Sequence, residues 1–148
     1  MTVETTRPAG ERLLLLAQIS RRLHGAKDQQ EVLSTLAEEA KRVIGAHQSV
    51  ASAAAPDEPF HVISSVDLSE RYAAWRSYDE ELSGEGIYLL PIQDGKPYRL
   101  TQTELEAHPA WRGFGPARGR HPPMRGWLAV PLIARNGRNL GLLQLSDR

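Results

Sequence analysis

The sequence predicts an α+β fold in which helices gathered at the start pack on a mostly antiparallel sheet. Three observations carry this reading. Two successive amphipathic segments, each closed by a glycine, fill residues 11–45. The apolar period then shortens to runs of small or β-branched residues separated by turn residues. The chain finishes on two apolar runs joined through Asn136-Gly137, the strongest short-range hairpin signal. Helices first and strands later imply segregated layers rather than alternating βαβ units.

Residues 1–10 are polar and carry Pro8 and Gly10, which reads as a flexible lead-in to a single domain over 11–148. Glu11–His24 follows a helical pattern. Leu13, Leu16, Ala17 and Leu23 lie on one face, Leu15 and Ile19 on another, with Leu14 between them. Four leucines in succession cover more than one stripe, so the helix is buried on two sides or meets another chain. A homodimer through Leu13, Leu15, Leu16 and Ile19 is the expected partner arrangement.

Gly25 closes this helix, and Asp28 with Glu31 forms a capping-box pattern for the next. That helix runs to about Ile44 with an apolar stripe of Val32, Leu33, Leu36, Ala40, Val43 and Ile44, and Gly45 stands at its C-cap. His47–Ala55 and Phe60–Val66 read as a strand pair around Pro56-Asp57-Glu58-Pro59. Ser69 or Asp67 caps a short helix ending at Trp75, and Asp79–Glu85 is acidic.

Ile87–Ile92 and Pro97–Leu100 read as a second extended pair around an Asp94-Gly95 turn. Thr103 and Glu106 predict a capping box for a short helix that Pro109 interrupts or restarts. Residues 113–126 hold four glycines and three prolines, a loop composition. The final hairpin pairs Trp127–Ala134 with Leu140–Ser146. Pro131 within it is an anomaly that only an edge or a bulge accommodates.

Composition removes several function classes. The 148 residues carry 18 basic and 18 acidic side chains, against the basic balance expected of a nucleic-acid binder. The longest strongly apolar run is Leu13–Ala17, far short of the ~20 residues that span a bilayer. No signal-peptide pattern is present, so a cytoplasmic location is expected. The chain has no cysteine, which removes disulfides, thiolate nucleophiles and Cys-ligated metal. The zero net charge hides an asymmetry. Residues 1–111 hold 11 basic and 17 acidic groups, whereas 112–148 hold seven arginines against Asp147 alone.

Three stretches together resemble the GAF domain, especially as it occurs in bacterial sensor histidine kinases that also carry PAS domains. They are Thr101–Gly115, His121–Leu132 and Gly137–Asp147. The resemblance implies an antiparallel sheet of PAS-like order 2-1-5-4-3. The N-terminal helices would cover one face, and short helices and loops would roof a small-molecule pocket on the other. It implies a sensory role in which ligand binding or dimer contacts bias an output domain. The C-terminal helix usual in the family is missing from this sequence, so output is expected on a longer parent chain or a separate partner. No residue here matches the kinase activity of the relatives. Bilin attachment and the sulfoxide reduction of some GAF proteins both run on cysteines and are excluded.

The strongest chemical cluster is Arg118, Arg120, His121 and Arg125, with Arg112 just before it. Arginine forks bind carboxylate or phosphate in bidentate fashion, and glycines let backbone approach an anion. The same residues also fit a solvated loop balanced by the acidic 79–85 stretch. Gly113–Gly119 has neither the spacing nor the preceding strand of a dinucleotide loop. Trp127 can stack on a planar ligand or pack in the core. Alternation in the last strand turns Leu143 and Leu145 toward the helices and Leu142, Gln144 and Ser146 toward the pocket, where Gln144 is a ligand-binding candidate.

The five histidines, His24, His47, His61, His108 and His121, show no zinc-site spacing, so no metal ligand is assigned. His61 or His121 would be the first to test as an axial haem ligand. No cofactor is identified. No Gly-x-Ser-x-Gly elbow is present and the carboxylates sit at helix starts or in the acidic stretch, so no catalytic residue is assigned. The sequence therefore predicts a non-enzymatic, small-molecule-binding sensory module. The alternative is a ligand-free dimerisation or linker module whose pocket is filled by its own side chains.

Overall fold

The computed structural model describes residues 8–54, 62–77, 86–113 and 121–148. Helices α1 (Ala9–His24) and α2 (Gln29–Ile44) open the domain. Strands β1 (Gln48–Ala54) and β2 (Val62–Leu68) follow, then a 3-10 helix over Glu70–Trp75. Helix α3 (Leu89–Asp94), strand β3 (Tyr98–Leu100) and helix α4 (Gln102–Ala107) lead to the closing hairpin β4 (Trp127–Ile133) and β5 (Asn139–Ser146). All four pairings are antiparallel in the order β2-β1-β5-β4-β3. The α+β class and the 2-1-5-4-3 order are those expected.

Helix α1 begins at Ala9, two residues before its expected start, because Pro8 at its N-cap needs no amide partner. In α2 the Asp28 side chain accepts the Glu31 amide at 2.8 Å, while Glu31 reaches back to the Lys27 amide at 2.7 Å. Gly45 ends the helix in the left-handed conformation at φ 73°. Leu33 and Ala37 of α2 pack on Ala51 and Ala53 of β1, with Leu36, Ile63 and Leu143 around them. Val43, placed by sequence in this stripe, is exposed instead. Helix α1 reaches the domain through Leu15 and through Arg22, which pairs with Glu38 at 3.1 Å and with the buried Glu39.

Two expectations are corrected. Ile87–Ile92 is not a strand: Leu89–Asp94 is helical and Gly95, at φ 63°, donates to the Pro91 carbonyl. Asp94-Gly95 is thus a helix C-cap and not a hairpin turn, and Pro91 is tolerated because a first-turn amide has no intrahelical partner. The capping box forms at Thr101 and Glu104, not at Thr103 and Glu106. Both pairs fit the pattern, but His108 precedes a proline and lies extended. A start at Thr103 would leave a single turn, whereas a start at Thr101 gives six residues and seats Leu105 in the core.

Pro131 sits where β4 has outrun β3, whose last pair is Tyr98 with Ala129, and just before a register shift at Leu132/Ile133. Edge and bulge therefore coincide at the anomaly. The hairpin turn closes with Gly137 donating to Ala134 O at 2.9 Å and Ala134 donating to Arg138 O at 2.8 Å. Gly137 alone in this turn has positive φ, at 82°. It is a three-residue loop with a glycine bulge rather than a two-residue turn.

Candidate functional site

Strand alternation divides the sheet into a helix face under α2 and a far face. Leu143 belongs to the helix face, as expected from its register, and Leu142 to the far face. On the far face, Ile87, Leu105, Trp127, Ala129 and Leu142 form a core, against which Tyr98, Trp111 and Met124 pack. This core fills the β3–β4–β5 half. The β1–β2 half carries Val50, Ser52, Ser64 and Val66 in register, and Ser52 Oγ meets Ser64 Oγ at 2.9 Å. Among the described residues no apolar cluster covers that half.

The sequence-chosen residues separate into three groups. Arg118 and Arg120 lie outside the described residues, as do His61 and the acidic 79–85 stretch. Trp127 is 2% exposed, in the core rather than at a rim, and its Nε1 donates to Gln144 Oε1 at 3.0 Å. Each thus satisfies the other's buried polar group. His121 and Arg125 stand on the 121–126 segment, whose Met124 packs on the far-face core. Burial pulls the His121 imidazole below its usual range, opposed by its hydrogen bond to the Pro122 carbonyl.

The 121–126 segment is bolted to the end of the sheet. Gln48 Nε2 donates to Pro123 O at 2.6 Å, and Ser146 Oγ accepts the Arg125 amide at 3.0 Å while donating to Gly126 O at 2.8 Å. Beside it lies a polar cluster that sequence reasoning missed. The buried Asp147 carboxylate accepts from the Tyr72 hydroxyl and from Arg71 Nη1, the latter at 3.1 Å. Burial alone would raise its pKa, but these two donors and the nearby His47 hold it below the usual carboxylate range. His47 Nδ1 and Ser69 Oγ are 2.7 Å apart. Partners up to 76 positions apart leave no local sequence signal.

A five-stranded antiparallel sheet in the order β2-β1-β5-β4-β3, with two N-terminal helices leading the chain and α2 packed on one face, is an α+β architecture found in regulatory and sensory modules. The GAF domain family model matches residues 26–148, and the chain belongs to that family. Solved structures agree on the fold. The GAF domain of a phosphoenolpyruvate-protein phosphotransferase from Coxiella burnetii is similar at 20% identity and TM-score 0.68, covering 95% of this chain and 80% of that one. Free methionine-R-sulfoxide reductase from Neisseria meningitidis, in complex with its substrate, is similar at 17% identity and TM-score 0.63, over 99% and 79%. The GAF domain of the cyanobacteriochrome TePixJ is similar at 16% identity and TM-score 0.63, over 84% and 76%. No helix among the described residues is long and apolar enough to cross a membrane.

Proposed function

We propose that this GAF domain is a ligand-sensing module of a bacterial signal-transduction protein, of the sensor histidine kinase type, without catalysis of its own. The observation that carries the reading is the split far face. The half over β3–β5 is packed by its own side chains, and the half over β1–β2 is lined by the half-buried Val50, Ser64 and Val66 around the buried Ser52. The ligand is a small anion held by Arg118, Arg120, His121 and Arg125, since guanidinium forks match carboxylate and phosphate. A cytoplasmic setting and an output domain on a longer chain or separate partner belong to the same reading. Native mass spectrometry of the purified chain is the test. A bound mass that leaves on activation supports it, and replacing the three arginines together with alanine removes that mass. Affinity unchanged in the triple variant overturns the anion site.

A ligand-free dimerisation module is the second reading. It is favoured by the mutual satisfaction of Trp127 and Gln144 and by the exposure of Leu13, Leu14 and Leu16, at 68%, 66% and 57%. A dimer carrying no added mass supports this reading.

A further inference from the structure

The chain leaves β5 through Asp147, the one non-glycine among the described residues with positive φ, at 56°. Aspartate tolerates this left-handed conformation better than most side chains. Four separate segments meet at this residue. Its amide donates to Arg125 O at 3.2 Å, and its carbonyl accepts the His47 amide at 2.8 Å. Its carboxylate holds Arg71 and Tyr72 of the 3-10 helix. The ring closes because His47 O accepts the Ser69 amide at 3.0 Å, while the His47 ring meets the Ser69 hydroxyl. Ser146, the preceding residue, holds both Arg125 and Gly126.

We propose that Asp147 is a latch that makes the 3-10 helix, the start of β1, the 121–126 segment and the end of β5 open and close as one unit. Bonds arranged in a ring with shared members are lost together, because each donor's position depends on the others. The 121–126 segment also belongs to the far-face core through Met124. A change on that face therefore reaches the point where the chain departs from the sheet, without passing through the helices. Charge favours the closed state: Arg71 Nη1 reaches the carboxylate at 3.1 Å, and His47 lies near it. The proposal deepens the sensory reading and rests on it for its purpose, but its test needs no ligand.

Hydrogen exchange on the full chain, resolved by residue, decides it. Tyr72→Phe removes one donor from the 3-10 side alone. The latch requires the amides of His47, Ser69, Arg125 and Asp147 to accelerate by a common factor of about tenfold. The amides of Ala134 and Leu105, bonded elsewhere, stay unchanged. Asp147→Asn, which keeps an acceptor for Tyr72 but drops the charge facing Arg71, accelerates the same four amides. Acceleration confined to the 3-10 helix, with Arg125 and Asp147 unmoved, overturns the proposal. So does a uniform rise that includes Ala134 and Leu105, because the four segments then have no opening of their own. Failure of the ligand reading appears separately, as a chain with no bound mass.

Discussion

The indole nitrogen of Trp127 donates to the side-chain oxygen of Gln144 at 3.0 Å, across the β4–β5 pair on the far face of the sheet. Two residues whose polar groups each ask for a partner have found one another. A ligand approaching this face would therefore compete with an existing bond over β4, and with the Ser52–Ser64 hydroxyl contact over β1–β2.

Gln144→Ala should lower stability by about 1–3 kcal/mol, because it leaves the buried indole N–H unpaired. Trp127→Phe in the Gln144→Ala background should add less than it does alone. Urea unfolding of the four proteins in a double-mutant cycle measures the difference, and strict additivity would show that the bond contributes nothing.

Gly141→Ala should cost about 3 kcal/mol or more. A Cβ built there meets Ser52 O at 1.9 Å, and that oxygen is backbone in the adjacent strand, which cannot swing aside. Gly10→Ala, with nothing within 4 Å of the new carbon, serves as the control and should be neutral or stabilising by up to about 1 kcal/mol. Thermal melts of both variants suffice, and equal midpoints would contradict the close approach of β1 and β5.

Glu39 sets an acid limit on stability. Burial would raise its pKa, but Arg42 and Arg22 hold it below the usual range. A carboxyl whose folded pKa is depressed contributes stability above its unfolded value, and loses it as pH falls through the folded one. Stability should therefore drop as pH descends through and below about 4. Glu39→Gln should be less stable than the parent at pH 7, and the gap should narrow as pH falls below about 4. Parallel curves from pH 7 to 3 would remove Glu39 from the acid response.

Leu13→Glu with Leu16→Glu should yield a folded monomer if α1 forms the proposed dimer. Both side chains are exposed, so the melting temperature of the monomer should be unaffected. Leu15 is buried within the chain at 9% exposure, and its substitution would report on folding instead. Sedimentation velocity across a concentration series reads the outcome, and a dimer that survives both changes excludes this face.

Legibility followed the range of the interactions. The two long helices, their glycine ends, the β1–β2 pair and the closing hairpin were readable because caps, turns and periodicity act over a few residues. Ile87–Ile92 was misread because an Asp-Gly pair serves a hairpin turn and a helix C-cap alike, and a six-residue helix is too short to declare a period. Thr101 and Thr103 offered the same capping pattern, and only the seating of Leu105 chose between them. Of the candidate site, the far-face position of Gln144 followed from alternation. Its partner did not, because 17 positions separate it from Trp127.

By itself the sequence determined the α+β class, the segregation of helices from strands, the absence of cysteine chemistry and the side of the last strand that faces α2. Each follows from composition or from a local period that neighbouring residues impose on one another. Only the tertiary structure decided which of the four successive leucines in α1 turns inward, that Trp127 closes on Gln144, and that Asp147 gathers Arg71, Tyr72, His47 and Arg125 around the end of β5. Those arrangements arise when strands distant in sequence are brought into register, and a buried polar group then takes whichever partner the register supplies.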